Sequence, residues 1–112
     1  MKLKINPDTL VGKPYDKETF NCYDFLCECT DMPSLNGIAV DAAIDNVNEY
    51  KPFFIERLEP VDYCIVILGD SHLGIVYGNG AYHADKDMVK YESFRVLRRK
   101  YNKLEFYDKA DT

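Results

Sequence analysis

The stretch "DSHLGIVYGNGAYHAD", from Asp70 to Asp85, decides the fold of this chain. Two short runs rich in β-branched and aromatic residues flank the sequence Gly78-Asn79-Gly80. Asn-Gly between such runs is the strongest short-range signal for a β-hairpin. The stretch therefore predicts two antiparallel strands, and it places the chain's two histidines, His72 and His83, one on each strand.

Three further strands and a helix are predicted around this hairpin. The apolar run "VDYCIVIL", from Val61 to Leu68, predicts a short strand before it. "MVKY" (Met88 to Tyr91) and "KLEFY" (Lys103 to Tyr107) predict two strands after it. The segment between them, Ser93 to Tyr101, predicts a helix with Ser93 as its N-cap.

The N-terminal part predicts helices. From Cys22 onward the apolar residues follow helical spacing, and the segment from Asp31 to Pro33 stops that pattern. A second helix is predicted over Val40 to Tyr50, where apolar residues again fall on one face. Helices followed by a mostly antiparallel sheet indicate an α+β domain. At 112 residues, the chain is expected to form one domain over 1–112.

Charge and hydropathy exclude two classes of partner. The net charge is −5, so nonspecific binding to nucleic acid, which depends on neutralising phosphates, is not expected. The longest apolar run, "CIVIL", is far shorter than the roughly 20 residues of a membrane helix. The start, "MKLKINPDTL", lacks the apolar core of a secretory signal. We expect no membrane association and a cytoplasmic or phage virion-associated location.

The cysteines and histidines do not form a recognisable metal pattern. The four cysteines include no C-x2-C pair, and the two histidines include no H-x-x-x-H pair. Without a secretory signal, free thiols are the better expectation than disulfides. We therefore expect neither a metal nor another cofactor.

Cys22 occupies the predicted first turn of a helix. The partial positive charge of a helix N-terminus stabilises a thiolate, and an imidazole such as His72 could shuttle its proton. Backbone N–H groups at the same helix end could bind the oxyanion of a tetrahedral intermediate. The same residues are also compatible with a buried core thiol and a surface histidine.

The order of the motifs favours the catalytic interpretation. "GKPY…FNCYDFL", then "LEPVDYCIVIL" and "SHLGIVYGNGAYHAD", resembles the NlpC-type peptidases, which are papain-like cysteine endopeptidases that cut peptidoglycan stem peptides. Short phage tail-associated members look most similar. The resemblance implies a papain-like domain with N-terminal helices packed on an antiparallel sheet. It also implies Cys22 as nucleophile, His72 as base and His83 as the residue that orients His72.

Several positions depart from the family pattern. Tyr15 matches the family tyrosine, but the loop between it and Cys22 is short, so most of the glycine-rich substrate loop is missing. Asp24 stands where a glycine is usual. We expect Tyr15 and Asp24 to contact substrate. The segment from Asn79 to His83 is also one residue shorter than usual.

That shorter segment makes the orienting residue ambiguous. A two-residue Asn79-Gly80 turn would pair Val76 with His83 and His72 with Asp87. The two histidines would share a face but lie four residues apart, or about 13 Å along the ladder. Asp87, or Asp85, is therefore an alternative to His83 as the orienting residue.

Three functions follow from these observations. The first is a cysteine hydrolase that cleaves an amide bond, with peptidoglycan stem peptides as the expected substrate. The second is an amidase or acyltransferase of the same fold acting on another substrate, which the short loop between Tyr15 and Cys22 keeps open. The third is a catalytically idle module, either a structural piece that binds phage tail proteins or an immunity-type binding module.

Overall fold

The protein is an α+β domain built on a six-stranded antiparallel sheet. The computed structural model describes residues 3–30, 54–69 and 72–109. Along the sheet the strands lie in the order β1-β6-β2-β3-β4-β5. In chain order they are β1 (Phe54–Arg57), β2 (Ile65–Leu68), β3 (His72–Tyr77), β4 (Gly80–Ala84), β5 (Val89–Ser93) and β6 (Leu104–Lys109).

Five of these strands confirm the sequence prediction, and β1 was not predicted. The apolar segment that precedes the hairpin forms β2, and the predicted hairpin strands form β3 and β4. The two later strands are β5 and β6. The predicted second helix, from Val40 to Tyr50, and the predicted stop from Asp31 to Pro33 lie outside the described residues.

Helix α1 (Cys22–Cys29) begins at the cysteine, as predicted. Its N-cap is Asn21, whose side chain accepts hydrogen bonds from the amides of Tyr23 and Asp24, both at 3.0 Å. The Asp24 carboxylate accepts in return from the Asn21 amide, also at 3.0 Å. This reciprocal capping box satisfies amides that would otherwise lack partners at a helix start, so the sequence fixes where α1 begins.

Helix α2 (Phe94–Lys100) confirms the helix predicted over Ser93 to Tyr101, between the last two strands. Ser93 is its N-cap, and the Ser93 hydroxyl accepts from the Val96 amide at 3.3 Å. Tyr101 is its C-cap. Of the described residues, no helix is both long and apolar enough to cross a bilayer.

The two helices cover opposite faces of the sheet. Because side chains alternate along a strand, Ile65 and Ile67 of β2 pack with α1, while Val66 and Leu68 pack with α2. Leu73 and Ile75 of β3 join the α1 side. The alternate positions of β3, which are His72, Gly74 and Val76, therefore face the α2 side.

The register of the hairpin differs from the prediction. Residues Gly78 and Asn79 form the turn, Tyr77 pairs with Gly80, and His83 pairs with Gly74 rather than with Val76. His72 consequently lies two residues from the level of His83 instead of four. The predicted separation of about 13 Å is wrong, and the expected distance along the strand falls to about 6.6 Å.

The backbone conformation of Gly78 and the small size of Gly80 explain this register. Gly78 has a φ of 56°, as the first position of a type II′ hairpin turn requires. Gly80 is needed in the strand, because a Cβ there would overlap the backbone of Glu92 on β5. The Asp62 carboxylate also fixes the turn by accepting from the Gly78 amide at 2.8 Å. The sequence Gly-Asn-Gly thus uses its first glycine for the turn and its second for close strand packing.

Candidate active site

The two histidines are hydrogen-bonded to each other. His72 opens β3, and His83 lies on β4 opposite Gly74. The His72 Nε2 and His83 Nδ1 atoms are 2.8 Å apart, and the two rings meet edge to face. Gly74 makes room for this pair, because a Cβ at position 74 would lie 3.4 Å from the His83 Cβ and 2.8 Å from the Tyr82 carbonyl oxygen.

Glu92 extends the pair into a chain of three side chains. The His83 Nε2 atom lies 2.8 Å from the Glu92 Oε1 atom. The Lys100 ammonium donates to the same oxygen at 2.7 Å. Burial would raise the pKa of Glu92, but the hydrogen bonds from Lys100 and His83 outweigh it and hold this pKa below its usual value. Glu92 is therefore an ionised acceptor at neutral pH.

The ionised carboxylate of Glu92 determines the direction of the two hydrogen bonds that link His72, His83 and Glu92. A carboxylate only accepts, so the His83 Nε2–H group must donate to Glu92. In neutral His83 the Nδ1 atom is then an acceptor, and the His72 Nε2–H group donates to it. This leaves the Nδ1 atom of His72 with a free lone pair. We call the chain His72–His83–Glu92 the imidazole relay.

The two aspartates considered as alternatives to His83 are engaged elsewhere. The Asp87 side chain is 59% exposed, and its carboxylate accepts from the Met88 amide at 2.8 Å and from Lys90 at 3.3 Å. The Asp85 carboxylate accepts from the Lys86 amide at 2.9 Å and from Lys100 at 3.2 Å. The position next to His72 Nε2 belongs to His83.

Asp85 nevertheless lies close to both histidines. Within the part of the chain that the structure describes, one group of side chains could hold a metal ion, namely His72, His83 and Asp85, whose ligand atoms all lie within 4.8 Å of one another. Burial alone would raise the pKa of Asp85, but the hydrogen bonds from the Lys86 amide and from Lys100 lower it to about 2. Asp85 is thus negatively charged at neutral pH, close to both histidines of the relay.

An open cavity of about 320 Å³ adjoins His72. The phenol ring of Tyr101 stacks on the imidazole of His72, with ring centroids 5.8 Å apart and planes at 15°. Tyr15, predicted to contact substrate, lines the same cavity. Asp24, the other such residue, is instead a member of the capping box of α1. The full lining is Tyr15, Lys17, His72, Ala84, Asp85, Lys86 and Tyr101.

Cys22 approaches the start of β3 from the α1 side. Its thiol is hydrogen-bonded with the backbone of Leu73, the residue after His72, and with the first turn of α1. Tyr15 and Tyr101, both cavity residues, also interact electrostatically with it. The structure therefore brings the predicted nucleophile, the predicted base and the cavity to one end of β3.

The thiol pKa differs from the expectation drawn from the helix terminus. Cys22 is only 1% exposed. This burial raises the pKa of the Cys22 thiol to about 11, although the backbone hydrogen bonds at Leu73 and in the first turn oppose it. The expected lowering of this pKa is wrong for the resting protein, because desolvation of a thiolate outweighs the stabilisation by the helix terminus.

His72 is also neutral at rest. Its burial, followed by the effect of the nearby His83, lowers the pKa of His72 to about 4. The pKa of His83 is likewise lowered by burial, against the opposing influence of Glu92. At neutral pH the proton thus resides on the Cys22 sulfur, and both imidazoles are neutral. All four cysteines are free and buried, as expected for thiols without disulfides.

Sequence reasoning missed three residues of the site: Glu92, Lys100 and Tyr101. The predicted strand ended at Tyr91 and the predicted helix began at Ser93, so Glu92 was left between them. Extending the strand to its helix cap would have paired Glu92 with Ala81, two residues from His83 and on the same face. That pairing was the available signal. Lys100 and Tyr101 carry no comparable signal, since they reach the site only through the packing of α2.

No protein-family model matches the chain, and no curated protein matches it.

Proposed function

We propose that the protein is a papain-like, NlpC-type cysteine hydrolase that cleaves an amide bond, with peptidoglycan stem peptides as its substrate class. The observation that carries this proposal is the imidazole relay, which begins at His72, while the Cys22 thiol at the N-terminus of α1 is hydrogen-bonded with the backbone of the next residue, Leu73. A relay that ends on an ionised carboxylate fixes the tautomer and orientation of the first imidazole, which is the role of the third residue in catalytic triads. The resemblance of the sequence to the NlpC-type pattern supports the substrate class.

The Cys22 thiol and the His72 imidazole are both neutral at rest, which implies general-base catalysis. As the Cys22 sulfur attacks the carbonyl carbon, its proton passes to the free Nδ1 atom of His72. The imidazolium is stabilised through His83 by the Glu92 carboxylate, and it then returns the proton to the leaving amine. The resulting thioester is hydrolysed by a water molecule that His72 deprotonates in the same way.

The start of α1 would supply the hydrogen-bond donor for the oxyanion that forms during the attack. The Asn21 side chain accepts from the amides of Tyr23 and Asp24. An oxyanion at this helix end would therefore draw on the amide of Cys22 itself, whose N–H group lies next to the attacking sulfur.

A second candidate function has its own observation. A thiol that is 1% exposed, with its pKa raised to about 11, is what an inert core cysteine shows. On this interpretation the protein is an idle member of the fold, a structural or binding module that retains the relay. The two functions make opposite predictions about hydrolysis.

The test is hydrolysis of defined muropeptides by the purified protein, followed by mass spectrometry of the products. A cysteine hydrolase should release two fragments from one amide bond, and Cys22→Ser should abolish the reaction. Cys64→Ser is the matched control, because Cys64 is equally buried but is hydrogen-bonded to Val76, near the end of β3 opposite to His72. Full activity of Cys22→Ser, or no cleavage by the folded wild type, would reject the proposal, and the latter result would favour the idle module.

A further inference from the structure

The relay and its neighbouring carboxylate have the composition of a metal site. Two imidazoles and one carboxylate are a common ligand set for Zn²⁺ and related divalent transition ions. Here the ligand atoms of His72, His83 and Asp85 lie within 4.8 Å of one another. We propose that these three side chains bind a divalent transition metal ion such as Zn²⁺, and that the bound ion switches off the imidazole relay.

The geometry requires only small adjustments. Two nitrogen ligands at 2.0–2.1 Å from a tetrahedral ion lie about 3.3 Å apart. The His72 Nε2 and His83 Nδ1 atoms, now 2.8 Å apart, must separate by roughly half an ångström on this basis. The Asp85 carboxylate must move toward them by rotation of its side chain, and a water molecule from the cavity completes the coordination.

The surroundings of the site also fit a metal. Histidines that bind metals usually donate their second ring N–H group to a carboxylate, which fixes the ring. His83 already does this, because its Nε2 atom lies 2.8 Å from Glu92 Oε1 while its Nδ1 atom faces the proposed ion. His72 and Asp85 both line the cavity, which gives the ion a path from solvent.

Two lysines oppose the binding of a cation. Lys100 and Lys90 lie 3.2 Å and 3.5 Å from the Asp85 Oδ2 atom, and Lys100 also binds Glu92. An incoming ion must displace or share these contacts. Lys90→Met should therefore strengthen metal binding, because it removes one competing ammonium from Asp85 and leaves Lys100 on Glu92.

The consequence for catalysis follows from proton positions and rests on the proposed function. Coordination through the His72 Nε2 atom requires its lone pair, so the proton of that nitrogen moves to Nδ1. No proton is released, but the nitrogen that would accept the Cys22 proton is now occupied. The metal-bound protein should be inactive, and a chelator should restore its activity.

Cobalt titration of the reduced, metal-free full chain tests the binding itself. Co²⁺ should bind with a visible d–d spectrum typical of four-coordinate sites, at one equivalent. The spectrum should persist in Cys22→Ser, without a thiolate charge-transfer band. Asp85→Asn should lose the spectrum, whereas Asp87→Asn, whose carboxylate lies outside the group, should keep it. Glu92→Gln should weaken binding by about 10–100-fold.

Nitrogen NMR of the wild type keeps the proposal testable if a variant fails to fold. The chain has two histidines, so all four ring nitrogens can be assigned. Zn²⁺ should shift His72 Nε2 and His83 Nδ1 together. Co²⁺ binding that is unaffected by Asp85→Asn, or that depends on thiolates alone, would overturn the metal site.

The activity arm separates the two proposals. Reversible loss of muropeptide hydrolysis with Zn²⁺ would support both the site and its effect on the relay. Metal binding in a protein that never hydrolyses muropeptides would support the site and reject the proposed function. Hydrolysis that continues at saturating Zn²⁺ would overturn the claim that the ion disables the relay.

Discussion

At the scale of single residues, the site depends on one carboxylate that sets the tautomer of two imidazoles. Glu92 accepts only, so His83 must donate to it and accept from His72, and the Nδ1 atom of His72 is left with its lone pair. Lys100 holds Glu92 in place from α2. The roles of Cys22, His72 and His83 as nucleophile, base and orienting residue stay predictions, which kinetics must test.

We expect His83→Ala to reduce muropeptide hydrolysis by about 10²–10⁴-fold, by analogy with losses of triad members. The variant removes the acceptor of the His72 Nε2–H group, so the tautomer is no longer fixed. Asp87→Asn is the matched control, since its exposed carboxylate contacts Lys90 and the Met88 amide. An inactive Asp87→Asn beside a nearly normal His83→Ala would show that the orienting role belongs to the aspartate.

At the scale of elements, the hairpin shows what the sequence could and could not predict. Residue pattern was enough to place both strands, because β-branched runs around a glycine-rich turn have few alternatives. The register was not predictable from the turn alone, since Gly78-Asn79 and Asn79-Gly80 both form two-residue turns. The packing of Gly80 against the backbone of β5 selects the first, and that contact belongs to tertiary structure.

The same difference between local sequence signals and tertiary contacts explains which properties of α1 could be predicted. The start of α1 was predictable, because the capping box that fixes it lies within four consecutive residues, from Asn21 to Asp24. The pKa of Cys22 was not, because it depends on how deeply the thiol is buried where α1 packs on β3. Local signals located the thiol, and long-range packing decided its protonation.

Gly74→Ala should destabilise the protein by about 1–3 kcal/mol, the usual cost of overpacking. The added Cβ would lie 2.8 Å from the Tyr82 carbonyl oxygen and would press on the side chain of His83. Urea unfolding gives the free energy, and nitrogen NMR shows whether the hydrogen bond between the histidines is lost. In the control Gly12→Ala the new Cβ meets nothing within 4 Å. It should cost only backbone strain and leave the histidine signals unchanged; a disturbed relay in this control would refute the steric explanation.

At the scale of the whole molecule, the sheet separates two kinds of surroundings. The α1 side contains most of the apolar core, including Phe25 and Leu26, while the α2 side holds the relay and its lysines at one end. Burying neutral imidazoles and ionised carboxylates together makes the stability of the fold depend on pH. The folded state lowers the pKa values of both imidazoles and of Asp85, so all three groups resist protonation in it.

The free energy of unfolding should fall as the pH decreases from 6.5 to about 4. The folded-state pKa of His72, about 4, lies below its ordinary value of 6.5, so the unfolded chain binds the proton first. The stability that neutral His72 contributes is fully present above pH 6.5. It is lost as the pH falls from 6.5 through the folded-state pKa of about 4. Below that range, protonation of Asp85 removes a further contribution as the pH passes from 3.8 to about 2.

Urea unfolding at several pH values measures this dependence. His72→Gln should flatten the curve between pH 6.5 and 4, because the titrating group is gone. Asp87→Asn should keep the slope in that range. The ordinary pKa of the Asp87 carboxyl is 3.8, and the fold lowers this pKa further, so the group does not titrate between pH 6.5 and 4. An unchanged slope in His72→Gln would mean that other groups cause the dependence.

The most direct measurement of the central claim is the rate at which iodoacetamide alkylates each cysteine of the folded protein, followed by peptide mapping. If His72 is the base for Cys22, Cys22 should react faster at neutral pH than Cys27, Cys29 and Cys64, although burial raises its thiol pKa to about 11. His72→Gln should remove that advantage, while the lysine control Lys90→Met should retain it. Equal rates for all four cysteines, or a Cys22 rate that does not depend on His72, would contradict the account.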